Sequence, residues 1–374
     1  MHYSLSFLEE HHNDLVTHLL KQRSAESAAY LLCGLSESMQ ETRLLVRKVI
    51  PVEPDDILES SATHMRIAAR SFLRAMKRAN SSGTCFAFVH SHPPWMQGHS
   101  RQDDEEERAL FRTAYNRIHG AGIQASLVYS DSEKPVGRVW LESGQTEPIN
   151  VIRVIGDRFR LLYPPGALDE IALDIGRFDR QVRAFGPGIQ TLLSRMNVGV
   201  VGAGGTGSCV IEQLIRLGVG TITIADGQTF EGSNVTRVYG SRTGDDGIAK
   251  TNLVERLGSH IGMGTRIIPV ARPITFQSAL KPFRDCDVIF GCTDDQWGRS
   301  LLARLSIYYY IPVFDMGVKI DSECGALNSV QGRVTTLIPG AACLFCRRRI
   351  NPAMNKPLKF IGRTWRGRCG EVTK

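Results

Sequence analysis

No run of 18 apolar residues occurs in the 374-residue sequence, so no membrane-spanning helix is expected. The amino terminus, MHYSLSFLEEHHNDL, lacks a basic stretch and a long apolar core, which argues against a secretory signal. A disulfide framework is missing as well. Nine cysteines are scattered along the chain, as in a reducing compartment, and a cytoplasmic protein is expected. Nor is there a basic face across the molecule, although the formal net charge is +7. The excess collects in residues 347–374, which hold nine Lys or Arg against the single acid Glu371. A solvated tail explains that cluster, and no nucleic-acid module occurs elsewhere, so neither nucleic acid nor membrane is an expected partner. What is present is globular: 42% hydrophobic and 22% charged residues, at a length that suits two or three domains.

One stretch organises the rest. Val198–Asp226 reads VGVVGAGGTGSCVIEQLIRLGVGTITIAD. A short apolar run ends in Gly202-Ala203-Gly204-Gly205-Thr206-Gly207, an apolar-periodic segment follows, and a β-rich run closes at Asp226. This predicts strand, glycine turn, helix, strand, acid. Glycines let the backbone approach a phosphate, and a helix amino terminus offers N–H groups and positive dipole. Asp226 stands near the spacing expected of a ribose-binding acid. By itself the stretch predicts a nucleotide on a doubly wound sheet. A glycine turn that only packs helix on strand is the alternative.

Upstream, the pattern predicts a helix over 5–22, strands over 28–32 and 44–52, an amphipathic helix over 63–79 and a strand over 85–89. The last leads into His90-Ser91-His92-Pro93, then Ser100 and Asp103 before a helical segment. In an extended segment residues i and i+2 face the same way, so His90 and His92 can share one ion. Ser100 has the place of a helix N-cap and Asp103 lies in the first turn. Two imidazoles and a carboxylate leave the fourth position of a tetrahedral zinc open to water, whose pKa zinc lowers to about 7. A further carboxylate is needed to carry the proton. The plainer alternative is a capping box beside surface histidines. His99 is expected to be an exposed loop residue. Strands over 125–129 and 138–142 close this region, followed by turns and short apolar stretches.

The spacing H-x-H-x7-S-x2-D with Pro93 resembles the JAMM (MPN-type) metalloprotease motif. The resemblance implies zinc on His90, His92 and Asp103, transition-state support from Ser100, and Glu26 as the base, with Glu37 the weaker choice. It also implies substrates cleaved after the carboxyl terminus of a ubiquitin-like protein.

Farther on come Arg177-Phe178-Asp179-Arg180-Gln181, the glycine turn, Asp226, Ser233-Asn234-x-x-Arg237, Lys250, Cys292-Thr293-Asp294-Asp295 with Arg299, and Pro339-Gly340 before Cys343-x-x-Cys346. This ordered set resembles the ThiF/MoeB/ubiquitin-activating-enzyme superfamily over about residues 176–350. The resemblance implies ATP and Mg²⁺, with adenylation of the terminal glycine of a ubiquitin-like or sulfur-carrier protein. Gly202, Gly204, Gly205, Gly207, Asp226, Asn234, Arg237, Lys250 and Asp294 would bind the nucleotide, Asp294 through Mg²⁺. Arg180 would be donated to the partner subunit of a homodimer. The physics suits these residue types, because two anions must be brought together and cations must neutralise them. Singly, Lys250 or Arg237 reads equally as a helix-surface charge.

Two departures stand out. Gln228 occupies the place of the family's second ribose-side acid. Cys343 and Cys346 supply two thiolates where a structural zinc wants four, so packed thiols are an equal reading. Cys369 stands alone, Cys209 reads as a packing residue, and the family's last strands and helices are expected to be missing. The expected fold is α/β: an α+β JAMM-like domain over 1–155, a linker over 156–175, and a Rossmann-like, mostly parallel-sheet ATP-binding domain over 176–374. Three functions compete. They are a bifunctional peptidase and adenylating enzyme, a peptidase with a carrier-binding or dimerisation module, and an NAD-dependent oxidoreductase.

Overall fold

The computed structural model describes residues 2–21, 25–38, 40–120, 122–167 and 176–351. The chain divides into two compact units, Met1–Glu170 and Ile171–Lys374.

The first unit runs β1 (His2–Leu8), α1 (Glu9–Leu20), β2 (Ala28–Glu37), β3 (Glu41–Pro51), β4 (Ile57–Ser60), β5 (Met65–Ile67), α2 (Ala69–Ser82), β6 (Cys85–Ser91), α3 (Arg101–Arg117), β7 (Gln124–Tyr129), β8 (Val136–Trp140), β9 (Thr146–Ile155) and β10 (Arg160–Leu162). The main sheet has the order β1-β3-β2-β6-β7-β8-β9-β10, and β1 also pairs with β9, so the sheet closes on itself. Helix α1 touches β1, β2, β3, β6, β7 and β9. It therefore fills the ring, with Leu15 and Leu19 packed on Leu5, Leu31, Val46, Val89 and Leu127. Strand alternation sends Tyr30, Phe86 and Phe88 to the opposite face, where they join Met76 of α2 and Phe111 of α3.

Several sequence expectations change here. The helix expected from residue 5 begins only at Glu9, because Tyr3-Ser4-Leu5-Ser6-Phe7 alternates at the strand period and is buried on both faces. Met65 and Ile67 belong to β5, which pairs with β4, and α2 starts after them. Strand β9 occupies a stretch expected to be turns. Strand β10 pairs antiparallel with β9, so residues 160–162 belong to the first unit's sheet and not to a linker.

The second unit runs α4 (Asp179–Phe185), α5 (Pro187–Arg195), β11 (Asn197–Val201), α6 (Gly205–Arg216), β12 (Thr221–Ala225), α7 (Lys250–Ile261), β13 (Arg266–Val270), α8 (Gln277–Leu280), β14 (Val288–Gly291), α9 (Gln296–Tyr309), β15 (Val313–Glu323) and β16 (Ala326–Leu337). The sheet order is β13-β12-β11-β14-β15-β16. The first five strands are parallel and β16 is antiparallel to β15. Strand order reverses between β11 and β14, and in such sheets the crevice at the carboxyl ends of the strands is the ligand position. Strand β15 runs well past the expected end at 315 into a long hairpin, whose outer residues Val318, Ile320, Leu327, Val330 and Val334 are exposed. The basic tail and Cys369 lie outside the described residues. Among those described, no helix is long and apolar enough to cross a membrane.

Candidate functional site

In the first unit, β6 and α3 converge. Residues Phe86, Phe88 and His90 share one face of β6, and the Phe88 ring stacks on His90. His90 Nε2 lies 3.1 Å from His92 Nε2 and 3.2 Å from Asp103 Oδ1. His92 Nε2 lies 3.5 Å from Asp103 Oδ2. Among the described residues these three form the only cluster whose ligand atoms gather within 4.8 Å of one another. His92 Nδ1 is 3.0 Å from the Gly98 carbonyl oxygen. A proton there turns the lone pair of Nε2 toward the cluster, as a metal ligand requires. The donor set, two neutral imidazoles and one carboxylate, fits zinc.

Asp103 is fixed from behind. Ser100 caps α3, its Oγ accepting from the Asp103 N–H, while Asp103 Oδ2 accepts from the Ser100 N–H at 2.5 Å. The cap and the ligand set are thus one construction, and the two readings of Ser100 and Asp103 are compatible. Burial alone would raise the Asp103 pKa. The hydrogen bond and charge of His90 and the Ser100 N–H overcome burial and hold the carboxyl well below its usual range. Burial also opposes charge on His90, but Asp103 prevails and its pKa is raised. On His92 burial and the neighbouring His90 lower the pKa.

Glu26 stands just before β2, with Oε1 3.8 Å from His92 Nε2. Its backbone is tied to the Ser61 carbonyl and to Ser60 Oγ. Burial, opposed by His90 and aided by Asp103, lifts its carboxyl to about 7, the range of a general base at neutral pH. All five residues line a cleft of about 520 Å³ that also takes in β5 and the apolar Phe72, Phe88 and Leu110. Glu37, by contrast, ends β2 opposite Thr42, and no ion pair or hydrogen bond joins it to the cluster.

His99 corrects an expectation. Its side chain is buried, 3.2 Å from Ser126 Oγ and 4.0 Å from Glu107 Oε1. Burial and the Arg138 charge push its pKa down to about 2. Sequence reading also passed over Glu107, because a run of five acids reads as a solvated face. The signal was its spacing: Asp103, Glu107, Phe111 and Ala114 recur on one side of α3.

In the second unit the glycine turn sits at the reversal of strand order. Gly202 has φ +97°, and a Cβ there would lie 2.8 Å from the Cys292 carbonyl oxygen beyond β14. A Cβ on Gly207 would lie 1.8 Å from the Gly202 carbonyl oxygen, so only glycine fits. Gly204 faces open space, while Gly205 faces the Arg237 side chain. Gly204 is the N-cap of α6 and brings no side chain to it, which leaves first-turn N–H groups available.

Asp226 braces this turn. Its Oδ2 accepts from the Ala203 N–H at 2.7 Å and its Oδ1 from the Gln228 N–H at 2.8 Å. Lys250 is buried at the start of α7, its Nζ donating to Gln228 Oε1 at 2.7 Å. Arg237 Nη2 is 3.4 Å from Asn234 Oδ1. The turn, Asp226, Gln228 and Lys250 are therefore linked, and Arg237 with Asn234 stands beside the turn at Gly205. Asp294 is exposed two residues beyond Cys292. Arg180 is exposed on α4, and no hydrogen bond or ion pair joins it to the turn among the described residues. Arg299 does not reach the turn either, because it pairs with the fully buried Asp315 at 2.5 Å. Cys343 Sγ and Cys346 Sγ lie 3.7 Å apart. No third metal-binding side chain gathers with them among the described residues, so a structural zinc, already short of ligands in the sequence, has only two there.

A doubly wound sheet with a glycine turn at its switch point defines a nucleotide-binding domain. Residues 178–362, beginning in the second unit, match the ThiF family. The chain is similar to the SAMP-activating enzyme E1 of Haloferax volcanii, 27% identical over 181 residues, or 47% of this chain and 64% of that protein. It is 27% identical over 176 residues to the sulfur carrier protein ThiS adenylyltransferase of Bacillus subtilis, covering 46% and 50%. To the adenylyltransferase and sulfurtransferase UBA4 of Meyerozyma guilliermondii it is 29% identical over 144 residues, covering 38% and 34%. The chain thus spans between a third and two thirds of these relatives.

Proposed function

We propose that the protein is bifunctional, a zinc-dependent peptidase or isopeptidase in its first unit and an adenylating enzyme in its second. Both act on the carboxyl terminus of a ubiquitin-like or sulfur-carrier protein. The peptidase half rests above all on one observation: the convergence of His90, His92 and Asp103 beside a carboxyl poised near neutrality. The adenylation half is supported by the ThiF match, and by relatives whose names are those of activating enzymes and adenylyltransferases.

In the cleft, His90, His92 and Asp103 would hold the ion, which when bound would supply Lewis acidity and acidify a water. Glu26, ionised above about pH 7, stands beside this cluster as the base that takes up a proton in the cleft and returns it to the leaving amine. Ser100 lines the same cleft, and its hydroxyl is the donor to the developing oxyanion. In the second unit the turn Gly202–Gly207 and the start of α6 receive phosphates, with Gly204 offering the close approach. The carrier's terminal carboxylate attacks the α-phosphorus of ATP, and pyrophosphate leaves as the acyl-adenylate forms. Arg237, Lys250 and Asn234 neutralise and hold the phosphates. Asp226 accepts from the ribose while bracing the turn, and Asp294 binds Mg²⁺. Arg180, which no hydrogen bond or ion pair joins to its own turn among the described residues, suits donation to a second copy in a homodimer.

The test is pyrophosphate exchange with ATP, Mg²⁺ and a set of small carriers ending in Gly-Gly, run beside cleavage of carriers extended past that glycine. Exchange with none of them removes the adenylation claim. Cleavage that survives chelators removes the zinc claim.

A further inference from the structure

Of the five consecutive acids Asp103 to Glu107, only Glu107 is fully buried. It stands one turn along α3 from Asp103, on the same face. Its Oε2 accepts from Ser126 Oγ at 2.5 Å, Arg138 Nη2 at 2.7 Å, and Arg138 Nε and Trp140 Nε1 at 3.1 Å. These donors come from β7 and β8 and leave the carboxylate one orientation. Its other oxygen, Oε1, is buried with no hydrogen-bond partner. His90 shows the complementary defect, since its Nδ1 is also buried without one. Both residues line the same cleft.

A buried acceptor and a buried imidazole N–H, each unmatched, call for one shared partner. We infer that Glu107 is the positioning residue for His90: Oε1 accepts the Nδ1–H of His90 through one buried water, which directs the His90 Nε2 lone pair at the metal position. A ligand imidazole whose other nitrogen is held by a carboxylate is fixed in tautomer and orientation and made more basic. His99 Nε2, 4.0 Å from the same Oε1, gives that water a third neighbour. The inference rests on the metal reading above and adds the group that sets the tautomer.

The test is made on the full chain with zinc itself. Glu107→Gln places an amide donor where an acceptor is required. It is expected to weaken zinc binding about 10–100-fold in competition with a chromophoric chelator. Glu105→Gln makes the same charge change at an exposed position of α3 and is expected to keep the parent affinity. In the zinc-loaded parent, nitrogen-15 histidine NMR should show His90 bound through Nε2 with a slowly exchanging Nδ1–H, assigned by its loss in His90→Gln. Three results each overturn the positioning role alone: an unchanged affinity in Glu107→Gln, an equal loss in Glu105→Gln, or binding through Nδ1 in the parent. The NMR experiment decides the matter if Glu107→Gln does not fold. A parent that binds no zinc overturns the metal reading and this inference together.

Discussion

In the first unit the reactive groups are side chains, drawn from three separate places in the chain into one buried cluster. In the second unit the corresponding place is made of backbone, a glycine turn and a helix end, and the charged side chains around it divide between buried Asp226 and Lys250 and exposed Arg237 and Asp294. The contrast follows from what each site is proposed to hold. A divalent ion needs electron pairs at fixed points, which imidazole and carboxylate supply. A phosphate needs N–H groups and room, which glycine supplies by the absence of a side chain. The first site is therefore expected to fail when atoms are removed, and the second when atoms are added.

The largest effect should come from Asp103→Asn, which weakens the ion's one charged ligand. Carrier cleavage is expected to fall to background, while pyrophosphate exchange stays at the parent rate. A parallel fall in exchange would end the separation of the two sites. Glu26→Gln comes next, with cleavage reduced by about 10²–10⁴-fold and zinc retained. The same change carries a pH signature in the metal-free protein. Folding raises the Glu26 pKa from 4.5 to about 7, so between those values the folded state holds a proton that the unfolded state has released. Its contribution to stability therefore falls as pH rises through that window. Melting temperatures of parent and Glu26→Gln, compared across pH 4.5–7, should diverge in that sense, and parallel curves would deny Glu26 its raised pKa.

Lys250→Ala is expected to slow pyrophosphate exchange by about 10²–10³-fold, the usual cost of losing one stabilising donor. Unchanged exchange with carrier binding intact would make the second unit a binding module. Adding a methyl group sharpens the contrast further. Gly207→Ala should destabilise the second unit by about 1–3 kcal/mol, since its Cβ has no room. Gly204→Ala should melt like the parent yet bind ATP more weakly, because its Cβ enters the space left for phosphate. Equal melting of both variants would contradict the turn geometry. The smallest effect is that of Ser100→Ala on folding, about 1 kcal/mol for the lost cap, read by denaturant unfolding.

What could be read from the sequence was local. His90 and His92 share a face by strand period, Ser100 and Asp103 form a capping box by spacing, and the turn from Gly202 announces itself by composition. What escaped depends on distant partners. Strand β9 was unreadable because its partner β1 lies at the other end of the unit. The β15–β16 hairpin was hidden because its outer residues are exposed and break the pattern of a buried parallel strand. His99 is buried only because β7 and α3 close over it, and Glu107 lost its meaning in a run of like charges. The exposed Asp294 and Arg180 were named from the family pattern alone, and no contact among the described residues assigns them a task.

The closure of the first unit's ring has a consequence for how the protein is made. Tyr3 N–H bonds Asn150 Oδ1 across 147 residues, and β9 supplies the second neighbour of β1. At about 5–20 residues per second, β1 waits roughly 5–20 s on the ribosome between the completion of β3, which pairs with one of its edges, and that of β9. During that interval its other edge is an open template for any extended chain nearby. The step that completes the unit is therefore also its point of greatest exposure, and a slow-translating host or a late truncation within β9 would lengthen it.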